Sequence, residues 1–378
     1  MNIMLMRDNM FFHFVKKGDN LYDISHQYKV DEDRIIKDNG LIEPKNLVIG
    51  QCLLIDNNNL TTKISKSFNG YCYEFTKNDV LKKELPYLTY LSIFAYKVNE
   101  DGSLNSINDE EKISLAKRYN VKPIMVITNS KSKGGFSPSL AHQIISNENI
   151  MNNLFDNIDK IIYQKGYYGL NIDFEYVNTN DKDLYIRFIK KLRNYFNNLY
   201  ISVSLAPKYS DNQKGLLYEA HDYEKIGKLV NNVIVMTYEW GYTFGPAMPV
   251  APLNEVEKVI KYATSKIDSN KIMLGIPNYG YDFLLPHKEK QKAKSISNLN
   301  AIPLAFNNHA EIFRSSGKTP YFKYKENVQL HEVHFDDPCS FEEKLNLIDK
   351  YNLSGGSIWT ISTYTPYLYK LIDYYFKK

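Results

Sequence analysis

Short apolar runs alternate with longer segments of helical periodicity over most of the chain from residue 67 onward. The runs have the length of strands, and the segment 181–196 carries Leu184, Phe188 and Leu192 at the spacing of one helix face. Strands that alternate with amphipathic helices favour a parallel sheet with crossover helices. The strand candidates are 70–75, 90–98, 122–128, 168–175, 199–206, 233–239, 272–277 and 356–361.

About eight strand–helix repeats in roughly 310 residues predict an α/β fold of the TIM (β/α)8 barrel type. An open doubly wound sheet is the alternative, but no glycine-rich phosphate loop follows the first strand candidate. The stretch between the seventh and eighth candidates is too long for a single helix. We therefore predict an α+β insertion between strands 7 and 8, at about residues 280–340, with strands at 320–324 and 329–335.

The N-terminal part of the chain has a different pattern, in which a strand, two short helices and a second strand follow one another. Asp19 is predicted to cap the first helix, and the second helix follows Asp31. These features predict a small βααβ module over residues 11–56. The polar, asparagine-rich stretch after it predicts a linker over 57–66, so that the barrel occupies 67–378.

Composition narrows the class of protein. The chain has 43% hydrophobic and 24% charged residues, which is typical of a globular protein. Its net charge of +4 is too small and too mixed to indicate nucleic-acid binding. Arg7 and Asp8 interrupt the apolar N-terminal segment, so neither a signal peptide nor a membrane span is predicted. Cys52, Cys72 and Cys339 have no metal or disulfide spacing, which favours buried thiols in a protein made in a reducing cytoplasm.

The run 166–176 separates into an apolar and a polar face when it is read with the two-residue period of a strand. Asn171, Asp173 and Glu175 lie on the polar face. A half-exposed edge strand is the alternative to a barrel strand whose polar face points inward. Two carboxyl groups one pleat apart in an interior do not ionise together cheaply, so one of them is expected to hold a proton near neutral pH. This arrangement is typical of a general acid beside a charged partner.

This run resembles the signature of glycoside hydrolase family 18, the chitinase-like barrels, which carry Asp-x-x-Asp-x-Asp-x-Glu on the fourth barrel strand. The last two acids match Asp173 and Glu175, whereas Tyr168 and Asn171 stand where the family usually has Asp. The wording Gly-Leu-Asn-Ile-Asp-Phe-Glu is most similar to the branch of spore-cortex fragment-lytic N-acetylglucosaminidases. The resemblance implies substrate-assisted hydrolysis, in which Glu175 is the general acid and base and Asp173 orients the acetamido group of the sugar.

Other strand ends carry further parts of the family pattern. Met236-Thr237-Tyr238-Glu239-Trp240-Gly241 matches the motif of the sixth strand, with Glu239 in place of the usual Asp. Tyr238 is implied to be catalytic, because its family counterpart holds the acetamido oxygen. The resemblance implies substrate-binding roles for Asn171, Met236, Glu239, Trp240, Asn278, Tyr279 and Trp359. In isolation Tyr238 would be interpreted as a core tyrosine, and a core tryptophan is the alternative for Trp359. Asn171 is expected to hydrogen-bond Asp173, which would then stay charged.

Two further segments bear on binding. Residues 11–56 resemble a LysM domain, which implies binding to N-acetylglucosamine polymers; the matching positions are Gly18, Asp19, Leu21, Asn39 and Gly50. Glu332, His334 and Asp336 lie on one face of a predicted strand and could suggest a metal site, but the segment lacks the His-Glu-x-x-His spacing of a zinc site. Relatives in the family carry Trp where His334 stands. No metal or other cofactor is predicted.

The predicted function is that of a retaining β-N-acetylglucosaminidase that hydrolyses peptidoglycan, in particular spore-cortex fragments during germination. The expected partner is the cortex glycan, with no nucleic acid, membrane or obligate protein partner, and the expected location is the spore coat or cortex. A chitinase or chitooligosaccharide hydrolase is the first alternative, since it would share every catalytic residue. A non-catalytic glycan-binding spore-coat protein is the second, and the presence of Glu175 argues against it.

Overall fold

The computed structural model describes residues 10–57, 63–131 and 134–378. Its N-terminal elements are β1 (Met10–Phe14), α1 (Leu21–Tyr28), α2 (Glu32–Asn39) and β2 (Cys52–Asp56). The two strands pair antiparallel, and the two helices pack on them, so the predicted βααβ module is confirmed.

The cap of α1 differs from the prediction. The Asn20 side chain accepts a hydrogen bond from the Asp23 backbone N–H, so Asn20 is the cap residue. The Asp19 carboxylate instead accepts from the His13 imidazole and from the Lys16 backbone N–H, both at 2.8 Å. The prediction that Asp19 caps the helix is therefore wrong, because its side chain closes the turn that precedes the helix. The second helix follows Asp31 as predicted, and the Asp31 side chain caps it.

Strands and helices alternate through the rest of the chain. Up to the seventh barrel strand the elements are β3 (Ile64–Ser65), β4 (Ser67–Tyr73), α3 (Asn78–Glu84), β5 (Tyr90–Lys97), α4 (Glu110–Arg118), β6 (Lys122–Thr128), α5 (Pro138–Ser146), α6 (Glu148–Lys165), β7 (Gly169–Asp173), α7 (Lys182–Tyr195), β8 (Tyr200–Leu205), α8 (Tyr223–Leu229), β9 (Asn232–Val235), α9 (Leu253–Lys266) and β10 (Ile272–Pro277). Beyond it lie β11 (Gly280–Leu285), β12 (Lys294–Ile296), α10 (Asn298–Asn307), β13 (Phe313–Arg314), β14 (Pro320–Glu326), β15 (Gln329–His334), α11 (Pro338–Lys350), β16 (Gly355–Trp359), α12 (Pro366–Tyr375) and β17 (Phe376–Lys377).

The strands β4 to β10 and β16 form a closed barrel, in which β16 pairs with both β10 and β4. All of the pairings are parallel, so the carboxyl ends of the strands meet at one end of the barrel. The predicted TIM barrel is thus confirmed over the open doubly wound sheet. An active site built from the loops after the strands is expected at that end.

Alternation along the strands sorts the side chains into two layers. In β7, Leu170 and Ile172 belong to the large core that also holds Phe188 of α7, between the barrel and its helices. The intervening residue Asn171 turns into the barrel, where its side chain bonds to Tyr71 of β4. The polar face of β7 therefore points inward, as predicted, and it is buried.

The predicted α+β insertion is confirmed between β10 and β16. Its five strands form an antiparallel sheet in the order β12-β11-β15-β14-β13. Phe322 and Val333 of the sheet pack with Ala301 and Ala305 of α10 in a separate core. The insertion follows the end of β10, and the hydroxyl of its Tyr281 donates to Glu239 on the loop after β9.

The N-terminal module packs on the barrel and on the insertion. Phe12 and Leu54 belong to the same buried cluster as the barrel core. The Ile312 N–H of the insertion donates to the Ile49 carbonyl oxygen at 2.9 Å. Lys370 of α12 lies 2.8 Å from the Asp56 carboxylate. The predicted linker 57–66 falls in part on residues 58–62, outside the described residues, and its far end forms β3, which pairs with β17.

Candidate active site

The end of β7 places two carboxyl groups at the mouth of the barrel. Asp173 is the last residue of the strand and is 5% exposed, and Glu175 follows one pleat later and is half-buried. The backbone of Glu175 is clamped by Asn129, whose amide donates to the Glu175 carbonyl oxygen at 2.9 Å and accepts from its N–H at 3.0 Å. The clamp fixes the position of Glu175 beyond the end of the strand, where the ladder of the sheet no longer holds it.

A buried histidine supports the residue between the two acids. The Ala206 N–H donates to Nδ1 of His221 at 2.9 Å, so the proton of the imidazole lies on Nε2, which donates to the Phe174 carbonyl oxygen at 3.1 Å. Burial lowers the pKa of His221 to about 4. The ring is therefore neutral near pH 7, and it acts as a fixed support for the strand end rather than as an acid or a base.

The environment of the two acids raises the pKa of both. Burial raises the pKa of Asp173 to about 7, and its Oδ1 has no hydrogen-bond partner among the described residues. Burial also raises the pKa of Glu175 well above its usual value, and the nearby Asp173 and Glu239 carboxylates raise it further. The pair therefore holds at least one proton near neutral pH, as the sequence predicts, and Glu175 is the group that keeps it.

The expected hydrogen bond between Asn171 and Asp173 is not formed. The Asn171 side-chain oxygen accepts from the Tyr71 hydroxyl at 3.0 Å, and its amide donates to Ser202 Oγ at 3.0 Å. Ser204 Oγ also lies 3.3 Å from the same oxygen. Because these partners occupy the amide, the predicted hydrogen bond between Asn171 and Asp173 is wrong, and Asn171 does not support the charge of Asp173.

The loop after β9 brings Tyr238 and Glu239 to the same cavity. Burial raises the pKa of the Tyr238 hydroxyl well above its usual value, so this phenol stays protonated and can donate a hydrogen bond. Glu239 accepts from the Tyr279 hydroxyl and, at 3.3 Å, from the Tyr281 hydroxyl. Burial raises the pKa of Glu239 as well, against the opposing effect of these two hydroxyls.

Backbone strain marks two positions at this site. Tyr176, next to Glu175, has φ of 54°, and Glu239, next to Tyr238, has φ of 66°. These are left-handed conformations that Tyr and Glu rarely adopt, and they cost on the order of 1 kcal/mol each. Both strained residues adjoin a predicted catalytic residue, so the strain helps to aim the ends of β7 and β9 into the cavity.

Trp359 ends β16 and packs edge-on against aromatic rings from β4 and β5. Its ring centroid lies 5.3 Å from that of Tyr71 and 4.9 Å from that of Phe94, at interplanar angles of 67° and 80°. Trp359 is half-buried and lines the cavity. An indole held in this way by its edges offers a stacking surface for an apolar ring face.

These side chains line a cleft of about 1040 Å³. Most of the predicted site residues lie on its wall: Asp173, Glu175, Met236, Tyr238, Glu239, Trp240 and Trp359. Asn171, Asn278 and Tyr279 are not among the lining residues. The polar atoms of Asn278 bond to the Thr360 and Thr363 carbonyl oxygens, Thr365 and Asn298, so the geometry makes Asn278 a buried brace for the loop after β16.

Sequence reasoning missed a further set of lining residues. Except for Tyr176, which ends the run 166–176, they come from strand ends and loops outside the recognised motifs: Tyr71, Phe94, Lys97, Phe136, Tyr176, Ser204, Tyr209, Gln213, Tyr218 and Tyr242. The available signal was positional, since aromatic and polar residues that directly follow a predicted barrel strand lie at its catalytic end.

Two histidines of the insertion, His331 and His334, have protein partners. His331 bonds to Asp282 at 2.9 Å and His334 to Glu332 at 2.7 Å. In the described part of the chain no group of three or more His, Cys, Asp or Glu side chains is arranged to hold a metal ion. None of the described helices combines the length and the apolarity needed to cross a membrane.

Comparison with known proteins agrees with this geometry. A family model for glycosyl hydrolases family 18 matches residues 65–363, and a model for the LysM domain matches residues 13–56. The cortical fragment-lytic enzyme of Bacillus anthracis is 32% identical, over 95% of this chain and 96% of its own length.

Two solved structures are similar over nearly the whole chain. The spore cortex-lytic enzyme SleL of Bacillus megaterium QM B1551 superimposes with a TM-score of 0.90 at 33% identity, over 97% of this chain and 98% of its own. The SleL enzyme of Bacillus cereus gives a TM-score of 0.92 at 30% identity, over 98% of each chain.

Proposed function

This chain belongs to glycosyl hydrolases family 18 and is a glycoside hydrolase, and we propose that it cleaves the peptidoglycan of the spore cortex at N-acetylglucosamine. The observation that carries the proposal is the pair of acids with raised pKa values at the end of β7, in a chain that matches enzymes named for cortex lysis over almost its full length. An enzyme with this substrate would act in the spore.

In the proposed first step, Glu175 protonates the glycosidic oxygen. Its raised pKa keeps the proton available near neutral pH, which a general acid requires. The 2-acetamido oxygen of the sugar attacks its own anomeric carbon, the bond to the leaving sugar breaks, and an oxazolinium ion forms. The substrate therefore supplies the nucleophile, unlike in hydrolases with two catalytic carboxylates.

Asp173 and Tyr238 act on the acetamido group. Asp173 in its ionised form accepts the acetamido N–H and offsets the positive charge of the oxazolinium ion. Tyr238, which stays protonated, donates to the acetamido oxygen. Trp359 lies under the reacting ring. In the second step, the deprotonated Glu175 takes a proton from water, which attacks the anomeric carbon from the side of the departed group and restores the β configuration.

The LysM module contributes attachment. Its match over residues 13–56 supports binding to an N-acetylglucosamine-containing polymer. The module packs directly on the barrel and the insertion. Binding of the polymer at the module therefore also sets the orientation of the cleft relative to the polymer.

The test is the identity of the new reducing end. Spore cortex contains muramic-δ-lactam, which has no acetamido group and cannot form the oxazolinium ion. We expect digestion of cortical fragments to yield N-acetylglucosamine at the reducing end with retained β configuration, identified by borohydride reduction and sugar analysis. Reduced muramic acid or muramic lactam would refute the assignment. A thiazoline mimic of the oxazolinium ion is expected to inhibit, and de-N-acetylated glycan is expected to resist cleavage.

The same digestion separates the proposal from a chitinase. A chitinase would share the catalytic residues and would cleave chitin oligosaccharides at least as well as cortical fragments. A non-catalytic glycan-binding protein would release no new reducing ends from either polymer. Parallel digestion of cortical fragments and chitin, with mass spectra of the products, distinguishes all three.

A further inference from the structure

Lys97 differs in charge from the other ionisable groups of the cleft. The lining residues include the carboxyl groups of Asp173, Glu175 and Glu239, and Lys97 is the one Lys or Arg among the described residues of the wall. No carboxylate of the described chain lies within 4.0 Å of its ammonium group. A lysine that only balanced the catalytic acids would be expected to pair with one of them.

The ammonium group of Lys97 is nevertheless held in place. Lys97 is the last residue of β5, where it pairs with Thr128 of β6, and it is half-buried. Its Nζ donates to the Lys131 carbonyl oxygen at 3.2 Å. An ammonium group has three donors, so this bond positions the side chain and leaves donors for a ligand. Phe94 on the same strand and Phe136 on the loop after β6 place apolar surface in the same wall.

Chitin and peptidoglycan, the two candidate substrates, differ in charge. A chain of N-acetylglucosamine alone is neutral along its length. In peptidoglycan, a muramic sugar that is not closed to its lactam carries a lactyl ether, which ends in a carboxylate or continues into a peptide with its own carboxylates. An unpaired, anchored cation in a partly desolvated wall discriminates between such substrates, because a charged partner is attracted there and a neutral one is not.

We propose that Lys97 is a specificity-determining residue that binds a carboxylate carried by a muramic substituent of the glycan. The inference rests on the proposed function and names the feature by which the cleft prefers peptidoglycan to chitin. The muramic sugar that bears this carboxylate would therefore bind against the wall formed by β5 and the loop after β6.

The experiment compares glycans that differ in the charge and in the substituent of the muramic sugar. The substrates are a tetrasaccharide of alternating N-acetylglucosamine and N-acetylmuramic acid with free lactyl carboxylates, the same glycan with each carboxylate converted to the neutral methylamide, and a version bearing stem peptides. The kcat/KM on each is measured for the full-length wild type, Lys97→Met and Lys97→Arg. Lys131→Met is the matched control, because it removes an exposed charge beside the cleft and outside its lining.

We expect Lys97→Met to lower the ratio of kcat/KM for the acidic over the neutralised glycan by about three- to tenfold, mainly through KM. Lys97→Arg should retain most of the ratio, and Lys131→Met should change it by less than about twofold. Added salt should lower the wild-type ratio and leave that of Lys97→Met unaffected. A ratio that falls only with the peptide-bearing glycan would place the carboxylate on the peptide rather than on the lactyl group.

Two results would overturn the inference: the same ratio in Lys97→Met as in the wild type, or an equal fall in Lys131→Met, which would indicate the general field of the surface. Failure of the proposed function has a different signature, namely a wild type that turns over no muramic glycan. In that case the affinity of Glu175→Gln for the acidic glycan, with and without Lys97→Met, still tests Lys97, because binding needs no turnover.

Discussion

The proposed catalytic cleft and the contact between the LysM module and the rest of the chain both bury carboxyl groups, but the two regions surround these groups differently. Asp56 at the module contact is 6% exposed and lies within 2.8 Å of both Arg34 and Lys370. In the cleft, Asp173 is 5% exposed, and its Oδ1 has no partner among the described residues.

The presence or absence of a neighbouring cation determines how each buried carboxyl group behaves. A buried carboxylate beside a cation stays ionised and fixes two elements together. A buried carboxyl without a cation has a raised pKa and changes protonation state near neutral pH, which a catalytic cycle needs and a docking contact does not. Substitutions that disturb this division should have effects that range from complete loss of turnover to a small shift of the pH profile.

Glu175→Gln should abolish turnover, with a loss of hundreds-fold or more, as is typical for removal of a general acid that also serves as the base. The amide is nearly isosteric, so the fold and glycan binding should persist. Release of reducing ends from cortical fragments measures the rate, and circular dichroism checks the fold. Glu224→Gln on α8 is the control, since Glu224 is exposed and distant from the cleft lining. Near-normal turnover by Glu175→Gln would contradict the proposed mechanism.

Lys344→Met tests the opposite case, a buried carboxylate that has a cation. Asp336 and Lys344 are 2% and 3% exposed and form an ion pair, so the substitution leaves Asp336 buried with Ser340 and without its charge partner. We expect the free energy of unfolding to fall by about 3–5 kcal/mol. Lys318→Met, which removes an exposed partner of Glu343, should cost about 0–1 kcal/mol. Urea titration compares them, and equal losses would mean that burial does not govern these pairs.

The pH dependence of stability should separate the two regions as well. In the unfolded chain Asp173 loses its proton near the ordinary aspartate pKa of 3.8, whereas burial in the folded chain raises that pKa to about 7. The folded state therefore binds the extra proton between these values, and its stability falls as the pH rises from 4 to 7. Asp173→Asn should remove this fall, on the order of a few kcal/mol, so the variant gains stability over the wild type at pH 8 relative to pH 4. Urea titration at the two pH values measures the difference, and a parallel fall in the variant would assign it to other groups.

The same groups predict the activity profile. In the proposed mechanism the productive form has Asp173 ionised and Glu175 protonated, so kcat/KM should rise through an apparent pKa near 7 and fall at higher pH as Glu175 loses its proton. The optimum is thus expected at or above neutrality. Maximal kcat/KM below pH 5 would contradict the raised pKa of the pair.

The regions of the molecule also differ in how much of their structure could be predicted from the sequence. The alternation of apolar runs was enough to predict the barrel, the insertion and the inward polar face of β7, because these follow from local periodicity. The partners of Asn171 did not follow, since Tyr71 and Ser204 lie 100 and 33 residues away in the chain. Asn129 and His221 hold the strand end through backbone atoms, and such contacts leave no motif.

The module contact was beyond prediction for the same reason. The sequence indicates a self-contained βααβ unit, and the apolar residues Phe12 and Leu54 could equally belong to its own small core. The path of the chain brings them against the barrel instead. A truncation near Ile64 would therefore uncover apolar surface of the barrel, and the role of the module is better tested by substitutions in the full-length chain.

Two glycines of the module test its docking. Gly50 has φ of 84°, and a Cβ there would lie 2.0 Å from the Ile312 carbonyl oxygen of the insertion. Gly18 has φ of 93°, and a Cβ there would meet nothing within 4 Å. Gly18→Ala should cost about 1 kcal/mol of backbone strain, and Gly50→Ala should cost about 1–3 kcal/mol more because the contact must open. Hydrogen exchange of β1 and β2 should rise in Gly50→Ala, and equal effects of both variants would mean that the module does not press on the insertion.

The mildest expected change is Asn171→Asp, which puts back a carboxyl group that the family pattern carries at this position. The structure gives Asn171 no bond to Asp173, so the new group would enter the network of Tyr71, Ser202 and Ser204 instead. Buried there without a cation, it should take up a proton, and its O–H should replace the amide donor toward Ser202. Turnover should persist, while the rising limb of kcat/KM shifts by about half a pH unit, since a nearby second acid alters the titration of Asp173. Asn171→Ser, which keeps no ionisable group, is the control. A profile identical to the wild type in Asn171→Asp would mean that the network below Asp173 is electrostatically separate from the catalytic pair.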